Sequence, residues 1–276
     1  MKFRTYFDVD GVDRSGLASQ VAAQHDRVHQ RLRTVRRVVA IMSGKGGVGK
    51  SYCTAAIATA AAHGDRAVGV LDADLRSPTV ARLLDARGPL AVDADGVRPA
   101  TGIGGVRVMS SEFLLDTGRP LAWQEPEGHA FVWRGTLEAG ALREFLADVV
   151  WGELDLLLID LPPGADGVAD LRTLVPDLSG IVAITIPSDE SERSVSRAMR
   201  AAHEAGIPLL GVIENMSGVR CAGCDHIGPL FTGNAGKALA AEFGIPLLAQ
   251  IPFDPASSNT PALWRQVLQL LLREPA

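Results

Sequence analysis

The sequence predicts an α/β fold: a mostly parallel, doubly wound sheet flanked by helices. Short apolar runs rich in β-branched residues alternate along the chain with segments of helical spacing, and this alternation builds parallel sheets that are covered on both faces. The first run, Val38 to Ser43, passes at once into a glycine-rich turn and then into a helix. A chain of 276 residues, 47% of them hydrophobic, is long enough to bury a large core.

The remaining elements follow the same alternation. Six further buried strands are predicted, at residues 67–71, 106–110, 154–160, 180–186, 209–213 and 247–249. Helices are predicted at residues 55–62, 135–150, 190–205, 234–243 and 261–272. Residues 86–104 are rich in Gly, Pro and Asp, which indicates a surface excursion between strands.

Residues 1–36 are predicted to form a separate, basic helical extension. Val21, Val28, Leu32 and Val35 fall on one side of this helix, and arginines are frequent around them. Such a helix could contact a nucleic acid or a membrane. The basic run is short and residues 21–35 contain no Phe, Trp or Tyr, which favours a solvated amphipathic helix instead.

The glycine-rich turn fits two phosphate-binding patterns. The pattern G-x-G-x-x-G is that of a dinucleotide site, with Asp72 at a suitable distance to bind a ribose. The pattern G-x-x-x-x-G-K-[ST] is more specific, because Lys50 supplies a charge for the β- and γ-phosphates and the Ser51 hydroxyl can ligate Mg²⁺. Lys45 is an additional cation within the turn. The candidate nucleotide-binding residues are Gly44, Lys45, Gly46, Gly47, Val48, Gly49, Lys50 and Ser51.

Polar side chains follow the predicted strands where ligands collect in an open α/β sheet, at the carboxyl ends. Asp74 is a candidate to position or deprotonate an attacking water, and Asp72 is a candidate for the outer shell of Mg²⁺. The alternative for both is an acidic turn that caps the next helix. Asp160 ends a second apolar strand and can hold Mg²⁺ through water. Asn215 can hydrogen-bond the adenine edge, although an Asn in a turn is nearly as good an interpretation.

The pair Cys221 and Cys224 has three interpretations. A thioredoxin-like dithiol is disfavoured, because the pair lies in a loop rather than where a strand opens into a helix. A zinc or iron–sulfur site needs about four ligands, and one chain clusters only two thiols. A two-fold dimer would supply four. His226 is a further candidate ligand, and Cys53 is expected to be a small buried side chain.

Composition excludes several classes of function. The net charge of −5 gives no overall attraction to nucleic acid or to an anionic membrane. Three cysteines do not make a disulfide framework, and no apolar run reaches the roughly 20 residues of a membrane span. Residues 1–8 lack the apolar core of a signal peptide. The sequence therefore predicts a cytoplasmic protein that binds no nucleic acid stably and no membrane.

These features together resemble the Mrp/ApbC-type P-loop ATPases, iron–sulfur cluster carriers of the wider MinD/ParA group. The resemblance runs from Val38 to Pro255. It rests on seven stretches, at residues 43–51, 71–78, 133–135, 160–164, 214–217, 221–224 and 251–255. The early lysine is typical of the whole group, and Glu-Asn-Met-Ser followed by C-x-x-C is typical of the carrier branch. Tyr52 departs from the family, which usually has Ser or Thr there.

The resemblance implies a role for each matched residue. Lys45 would reach the nucleotide of the partner subunit in a homodimer. Lys50 would be the phosphate lysine, with Ser51 as the Mg²⁺ ligand. Asp74 would position water, Asp160 would be the Walker B acid and Asn215 would contact adenine. Cys221 and Cys224 would hold a [4Fe–4S] cluster between subunits, for delivery to recipient apo iron–sulfur proteins. Residues 37–276 would then form a P-loop ATPase domain that uses ATP and Mg²⁺.

Two rival functions share these motifs. A partitioning or positioning ATPase of the MinD/ParA type would use its dimer to bind a membrane or DNA. The apolar stretch from Trp264 to Leu272 lacks the basic face of a typical membrane anchor. A zinc-stabilised ATPase would use the same two cysteines without any cluster chemistry.

Overall fold

The computed structural model describes residues 17–114, 140–165, 168–221, 223–224, 226–254 and 261–272. The helices within these ranges are α1 (Leu17–Leu32), α2 (Lys50–Ala62), α3 (Val80–Leu83), α4 (residues 140–148), α5 (Val168–Leu174), α6 (Asp189–Glu204), α7 (Ala235–Phe243) and α8 (Pro261–Leu271). The strands there are β1 (Val38–Ser43), β2 (Val68–Asp72), β3 (Ala91–Asp93), β4 (Gly96–Arg98), β5 (Ala100–Thr101), β6 (Arg107–Ser110), β7 (Leu156–Asp160), β8 (Gly180–Thr185), β9 (Leu209–Arg220), β10 (Ile227–Gly228) and β11 (Leu247–Phe253).

The main sheet confirms the predicted doubly wound architecture. Its strand order is β10-β9-β8-β1-β7-β2-β6-β5, and β11 pairs with β9 as well. The pairs that involve β1, β2, β7 and β8 are all parallel, while β5 and β10 pair antiparallel at the two ends. Strand β1 therefore lies in the middle, and its carboxyl end opens directly into the glycine-rich turn.

Two hydrophobic clusters cover the two faces of the sheet. Helices α2, α3 and α8 pack on one face through side chains such as Ile57, Val80 and Val267. Helices α1, α4, α5, α6 and α7 pack on the other face. The apolar side of α8, which includes the buried Trp264, lies in the first of these clusters, together with α2 and α3. No helix in the described ranges is both long and apolar enough to span a bilayer.

Helix α1 docks on the domain. Val28 and Leu32 are buried in the second cluster, and Arg31 Nε donates to the Ala147 carbonyl at 3.1 Å. Val35 then forms a parallel bridge with Leu154 beside β7. The amphipathic pattern of this segment is thus explained by contact with the sheet domain itself.

Strand β9 is longer than predicted. The expected strand ended at Ile213, but β9 continues through Glu214 and Asn215 to Arg220. Met216 lies within it at a φ of 52°. The continuation pairs on one side with β11, where Phe253 lies opposite Val219, and on the other with β10. The polar sequence of residues 214–220 does not reveal that the strand continues. The pairings with β11 and β10 supply backbone hydrogen bonds to this segment. As a result β9 reaches from the core to Cys221.

Candidate functional site

The glycine-rich turn forms the wall of a cleft of about 680 Å³ at the carboxyl edge of the sheet. A cleft of this size is typical of a nucleotide or cofactor site. The turn requires glycine at position 49 for two reasons. Gly49 has a φ of 83° at the start of α2, and a Cβ there would collide with the Asn215 side-chain amide. Lys45, Lys50, Ser51 and Asp74 all line the cleft. These four predicted side chains therefore converge on one space, and Gly46, Gly47, Val48 and Gly49 of the predicted turn line it as well.

Asp160 is the centre of the buried charge network behind the turn. Its side chain is fully buried, and Oδ2 accepts hydrogen bonds from Lys50 Nζ and Ser51 Oγ, both at 2.6 Å. Oδ1 accepts from Thr54 Oγ1, also at 2.6 Å. The Lys50–Asp160 ion pair is buried, with side-chain exposures of 7% and 0%. Lys50, the predicted phosphate lysine, and Ser51, the predicted Mg²⁺ ligand, are thus both in direct contact with Asp160, the predicted Walker B acid.

Asp72 lies next to Asp160, opposite it in the β2–β7 register. Its carboxylate is buried and organises the loop that follows β2. Oδ2 accepts from the backbone N–H of Thr79 at 3.0 Å and of Val80 at 3.1 Å, and Oδ1 accepts from the N–H of Asp74 at 3.2 Å. These are the contacts of the alternative interpretation, an acid that caps the following helix. A magnesium outer-shell role for Asp72 stays a prediction.

Asp74 lies at the surface end of the same loop. It lines the cleft, and its Oδ1 accepts from the N–H of Ser77 at 3.2 Å. The short helix α3 that follows brings Arg82 to the cleft, where its guanidinium pairs with Glu112 at 3.1 Å. Sequence reasoning did not single out Arg82, because a lone arginine after a turn carries no motif.

Burial and the neighbouring charge of Asp160 raise the pKa of Asp72 to about 7, from an ordinary value of 3.8. The folded, nucleotide-free protein therefore binds this proton more tightly than the unfolded chain. Its contribution to stability is complete below pH ~4 and is lost as the pH rises through ~7. At about 1.4 kcal/mol per unit, the loss amounts to roughly 2–4 kcal/mol in free energy of unfolding.

We therefore expect the difference in unfolding free energy between the wild type and Asp72→Asn to change with pH. The wild type should lose stability relative to this variant between pH 5 and pH 8, since asparagine does not titrate. Urea unfolding in EDTA without nucleotide measures both proteins. An equal difference at both pH values would contradict the protonated state of Asp72.

Asn215 contacts the glycine-rich turn from the sheet. Its side chain is buried, and Nδ2 donates to the Val48 carbonyl at 2.9 Å. The preceding residue, Glu214, accepts from the Gly236 N–H and from Gln250 Nε2, both at 2.7 Å. Strand β9 is therefore attached to the turn on one side and to α7 and β11 on the other. The adenine contact predicted for Asn215 stays a prediction.

Tyr52 borders the cleft on the side of α8. Its ring packs edge to face against Trp264, with 6.4 Å between the ring centroids. Tyr52 and Leu83 line both the main cleft and a smaller, adjoining one of about 270 Å³ between α2 and α8. The sequence resemblance predicts a Ser or Thr at position 52; Tyr52 instead lines the cleft with an aromatic ring.

Cys221 and Cys224 lie in the loop between β9 and β10, and both thiols are free and exposed. The Cys221 N–H donates to the His226 carbonyl at 2.9 Å, which closes the loop. Hydrogen bonds from the Gly223 N–H, and then from Cys224, lower the pKa of the Cys221 thiol. A lowered pKa favours the thiolate, the form that binds metal.

The described part of the chain contains no group of three or more His, Cys, Asp and Glu side chains that could hold a metal ion. The two thiols are thus short of the four ligands that a tetrahedral metal or a cluster needs. Cys53 does not join them: it is fully buried in α2, and burial raises the pKa of its thiol well above the usual range. The stretch at residues 133–135 and residues 255–260 lie outside the described residues.

Comparison with known proteins agrees with this geometry. The family model described as ParA, NUBPL iron-transfer P-loop NTPase, matches residues 34–269. An iron-sulfur cluster carrier protein of Saccharolobus solfataricus is 38% identical over 239 residues, which cover 86% of this chain and 78% of that protein. The human cytosolic Fe-S cluster assembly factor NUBP2 is 35% identical over 232 residues, 82% of each chain.

Solved structures share the fold. A nucleotide-binding protein from Archaeoglobus fulgidus, in complex with ADP, is 32% identical with a TM-score of 0.67, and the match covers 91% of this chain and 94% of that one. The cell division ATPase MinD of Pyrococcus furiosus has a TM-score of 0.56 at 20% identity, over 86% and 98% of the two chains, a likeness of fold alone. From the family match and these relatives, the chain belongs to the ParA-type iron-transfer P-loop NTPases, the NUBPL family.

Proposed function

We propose that this protein is an ATP-binding and ATP-hydrolysing carrier of iron–sulfur clusters. Two copies would form a homodimer that holds one [4Fe–4S] cluster and delivers it to recipient apo iron–sulfur proteins. Relatives of this chain are named as cluster carriers and as cytosolic cluster assembly factors. The cluster is the cargo, and ATP with Mg²⁺ would drive the conformational cycle.

The cysteine loop supports a shared cluster. Each chain offers two exposed thiols, Cys221 and Cys224, and a [4Fe–4S] cluster takes four thiolates. A two-fold axis that passes close to this loop would bring four together, because an isologous contact repeats the same residues on both sides. The lowered pKa of Cys221 favours deprotonation before the metal binds.

The nucleotide would occupy the cleft along the glycine-rich turn. Lys50 and the N–H groups at the start of α2 fit the phosphates, while Ser51 and Asp160 fit Mg²⁺ directly and through water. Bound Mg²⁺ would neutralise phosphate charge. Asp74, which lines the cleft, would orient the attacking water, and Lys45 would be the cation that a partner subunit contributes. Lys50 lines the cleft, and its ammonium has three N–H donors, so it can donate to a phosphate as well as to Asp160.

One observation carries the proposal: strand β9 connects the two sites. Asn215, within β9, donates to the Val48 carbonyl of the turn, and β9 ends one residue before Cys221. A shift of the turn on nucleotide binding would therefore act on the strand that holds the thiols. If β9 and the turn shift together between two positions, binding of nucleotide and binding of the cluster influence each other.

Anaerobic reconstitution with iron and sulfide tests the proposal. We expect about four irons and four sulfides per two chains, and light scattering should show that the loaded species is a dimer. Iron on a monomer, or zinc in protein purified without oxygen, would contradict the shared cluster. The ATPase assignment would survive that result, because the residues that line the nucleotide cleft do not include the cysteines.

Asn215→Ala tests the connection through β9. Asn215 is also the predicted adenine contact, and the loss of one hydrogen bond to the ligand, worth about 1 kcal/mol, should lower the affinity for ADP roughly five-fold. The iron content should stay at the wild-type level, but the effect of ATP on the rate of cluster transfer should disappear.

The matched control is Asn234→Ala, since Asn234 precedes α7 and its side chain makes no capping hydrogen bond. This control should match the wild type in ADP affinity, iron content and transfer. If Asn215→Ala kept the full ATP effect on transfer, β9 would not be the connection.

A further inference from the structure

Thr54 lies outside the phosphate-binding pattern, which ends at Ser51, yet it contacts the same buried carboxylate. Its side chain is fully buried on α2, and Oγ1 lies 2.6 Å from Asp160 Oδ1. Oγ1 is also 3.1 Å from the Lys50 carbonyl, one helical turn earlier. Since a hydroxyl carries one proton and the carboxylate is the charged and closer acceptor, the proton goes to Asp160.

The two oxygens of Asp160 therefore have different partners. Among the described residues, Oδ1 accepts a hydrogen bond from Thr54 only, while Oδ2 accepts from Lys50 and Ser51, which both line the cleft. The terminal torsion of an aspartate is broad and is set by its hydrogen bonds rather than by a rotamer well. Without Thr54, Oδ1 would lose this hydrogen bond, and the orientation of the carboxylate would depend on the contacts of Oδ2 with Lys50 and Ser51, the two residues that phosphate and Mg²⁺ would engage.

We propose that Thr54 is a positioning residue for the magnesium site. It fixes the carboxylate of Asp160 so that Oδ2 faces Ser51, the side from which Mg²⁺ and its waters would be bound. This inference rests on the proposed function, because it takes Asp160 and Ser51 as the residues that hold Mg²⁺. Thr54 itself does not line the cleft, so it would touch neither the metal nor the nucleotide. Its loss should therefore weaken metal binding far more than nucleotide binding without metal.

The experiment compares Thr54→Val, which keeps the shape but loses the hydroxyl, with Thr54→Ser, which keeps the hydroxyl. Binding of Mn²⁺ to the ADP-bound protein is measured by electron paramagnetic resonance, and ADP affinity is measured separately in EDTA. For Thr54→Val we expect the Mn²⁺ dissociation constant to rise about ten-fold, the size of effect known for residues that orient a metal ligand. ADP affinity in EDTA should stay within about two-fold. Thr54→Ser should match the wild type in both.

Equal Mn²⁺ affinity in Thr54→Val and Thr54→Ser would overturn the inference. So would a loss of ADP affinity in EDTA as large as the loss of Mn²⁺ affinity, because that pattern would show a structural role for Thr54. If Thr54→Val does not fold, Thr54→Ala takes its place in the same comparison, with the same expected and contradicting outcomes.

Asp160→Asn separates this inference from the proposed function. If Asp160→Asn binds Mn²⁺ as the wild type does, the magnesium assignment itself is wrong and the Thr54 inference falls with it. If Asp160→Asn loses Mn²⁺ binding and Thr54→Val does not, only the role of Thr54 is wrong.

Discussion

Replacing both Cys221 and Cys224 by alanine is expected to remove the iron–sulfur cluster completely. The two thiols lie three residues apart in one exposed loop, and they are the exposed cysteines among the described residues. Loss of both from each chain leaves a dimer with none of the four thiolates that a [4Fe–4S] cluster needs. Anaerobically reconstituted protein should fall from about four irons per dimer to nearly zero, with loss of the visible absorbance.

The control for this variant is Cys53→Ala. Cys53 is fully buried in α2, so its removal should leave iron and sulfide at the wild-type level. The double variant should also bind ATP normally, since neither cysteine lines the nucleotide cleft. An undiminished cluster in the double variant would overturn the ligand assignment, and parallel losses in Cys53→Ala would show that the effect comes from folding rather than ligation.

The fold was predictable because its central strands are continuous apolar runs. Strands such as β1 and β7 are buried on both faces, so their sequences are continuously apolar. Such runs predict neighbouring parallel strands and helices that cover both faces of the sheet. The far half of β9 was not predictable. Glu214 and Asn215 read as a polar turn, but Glu214 is buried and satisfied by the Gly236 N–H and Gln250. Polar residues predict the end of a strand only where the fold offers their side chains no hydrogen-bond partner.

The contacts among Lys50, Ser51 and Asp160 were predictable, but the contacts of Thr54 and Asn215 were not. A phosphate lysine and two predicted magnesium residues must converge on one nucleotide, so the proposed roles place the three side chains together. Thr54 carried no motif, and its contact with Asp160 arises from helical spacing after Lys50 combined with the position of β7. Likewise the bond from Asn215 to Val48 joins residues 167 positions apart, a pairing that a single sequence does not reveal.

The two lysines of the glycine-rich turn are expected to differ sharply when each is replaced by alanine. Lys50 forms a buried ion pair with Asp160 at 2.6 Å, so Lys50→Ala leaves a buried carboxylate without its cation. Breaking such a pair costs about 3–5 kcal/mol, and losing a charge at the phosphates should slow ATP hydrolysis by about 10²–10³-fold. Lys45 is only half-buried, so Lys45→Ala should change the free energy of unfolding by less than about 0.5 kcal/mol.

Mixing these two variants tests whether Lys45 acts across a homodimer. Each is expected to be nearly inactive alone. In a mixed dimer, the chain with Lys45→Ala keeps its own Lys50, and the Lys50→Ala chain lends it an intact Lys45, so one of the two sites is complete. With random pairing, half of the dimers are mixed, and phosphate release should recover to about a quarter of the wild-type rate. No recovery, in a mixture shown by light scattering to exchange subunits, would mean that Lys45 serves its own nucleotide and that the two sites of the dimer are independent.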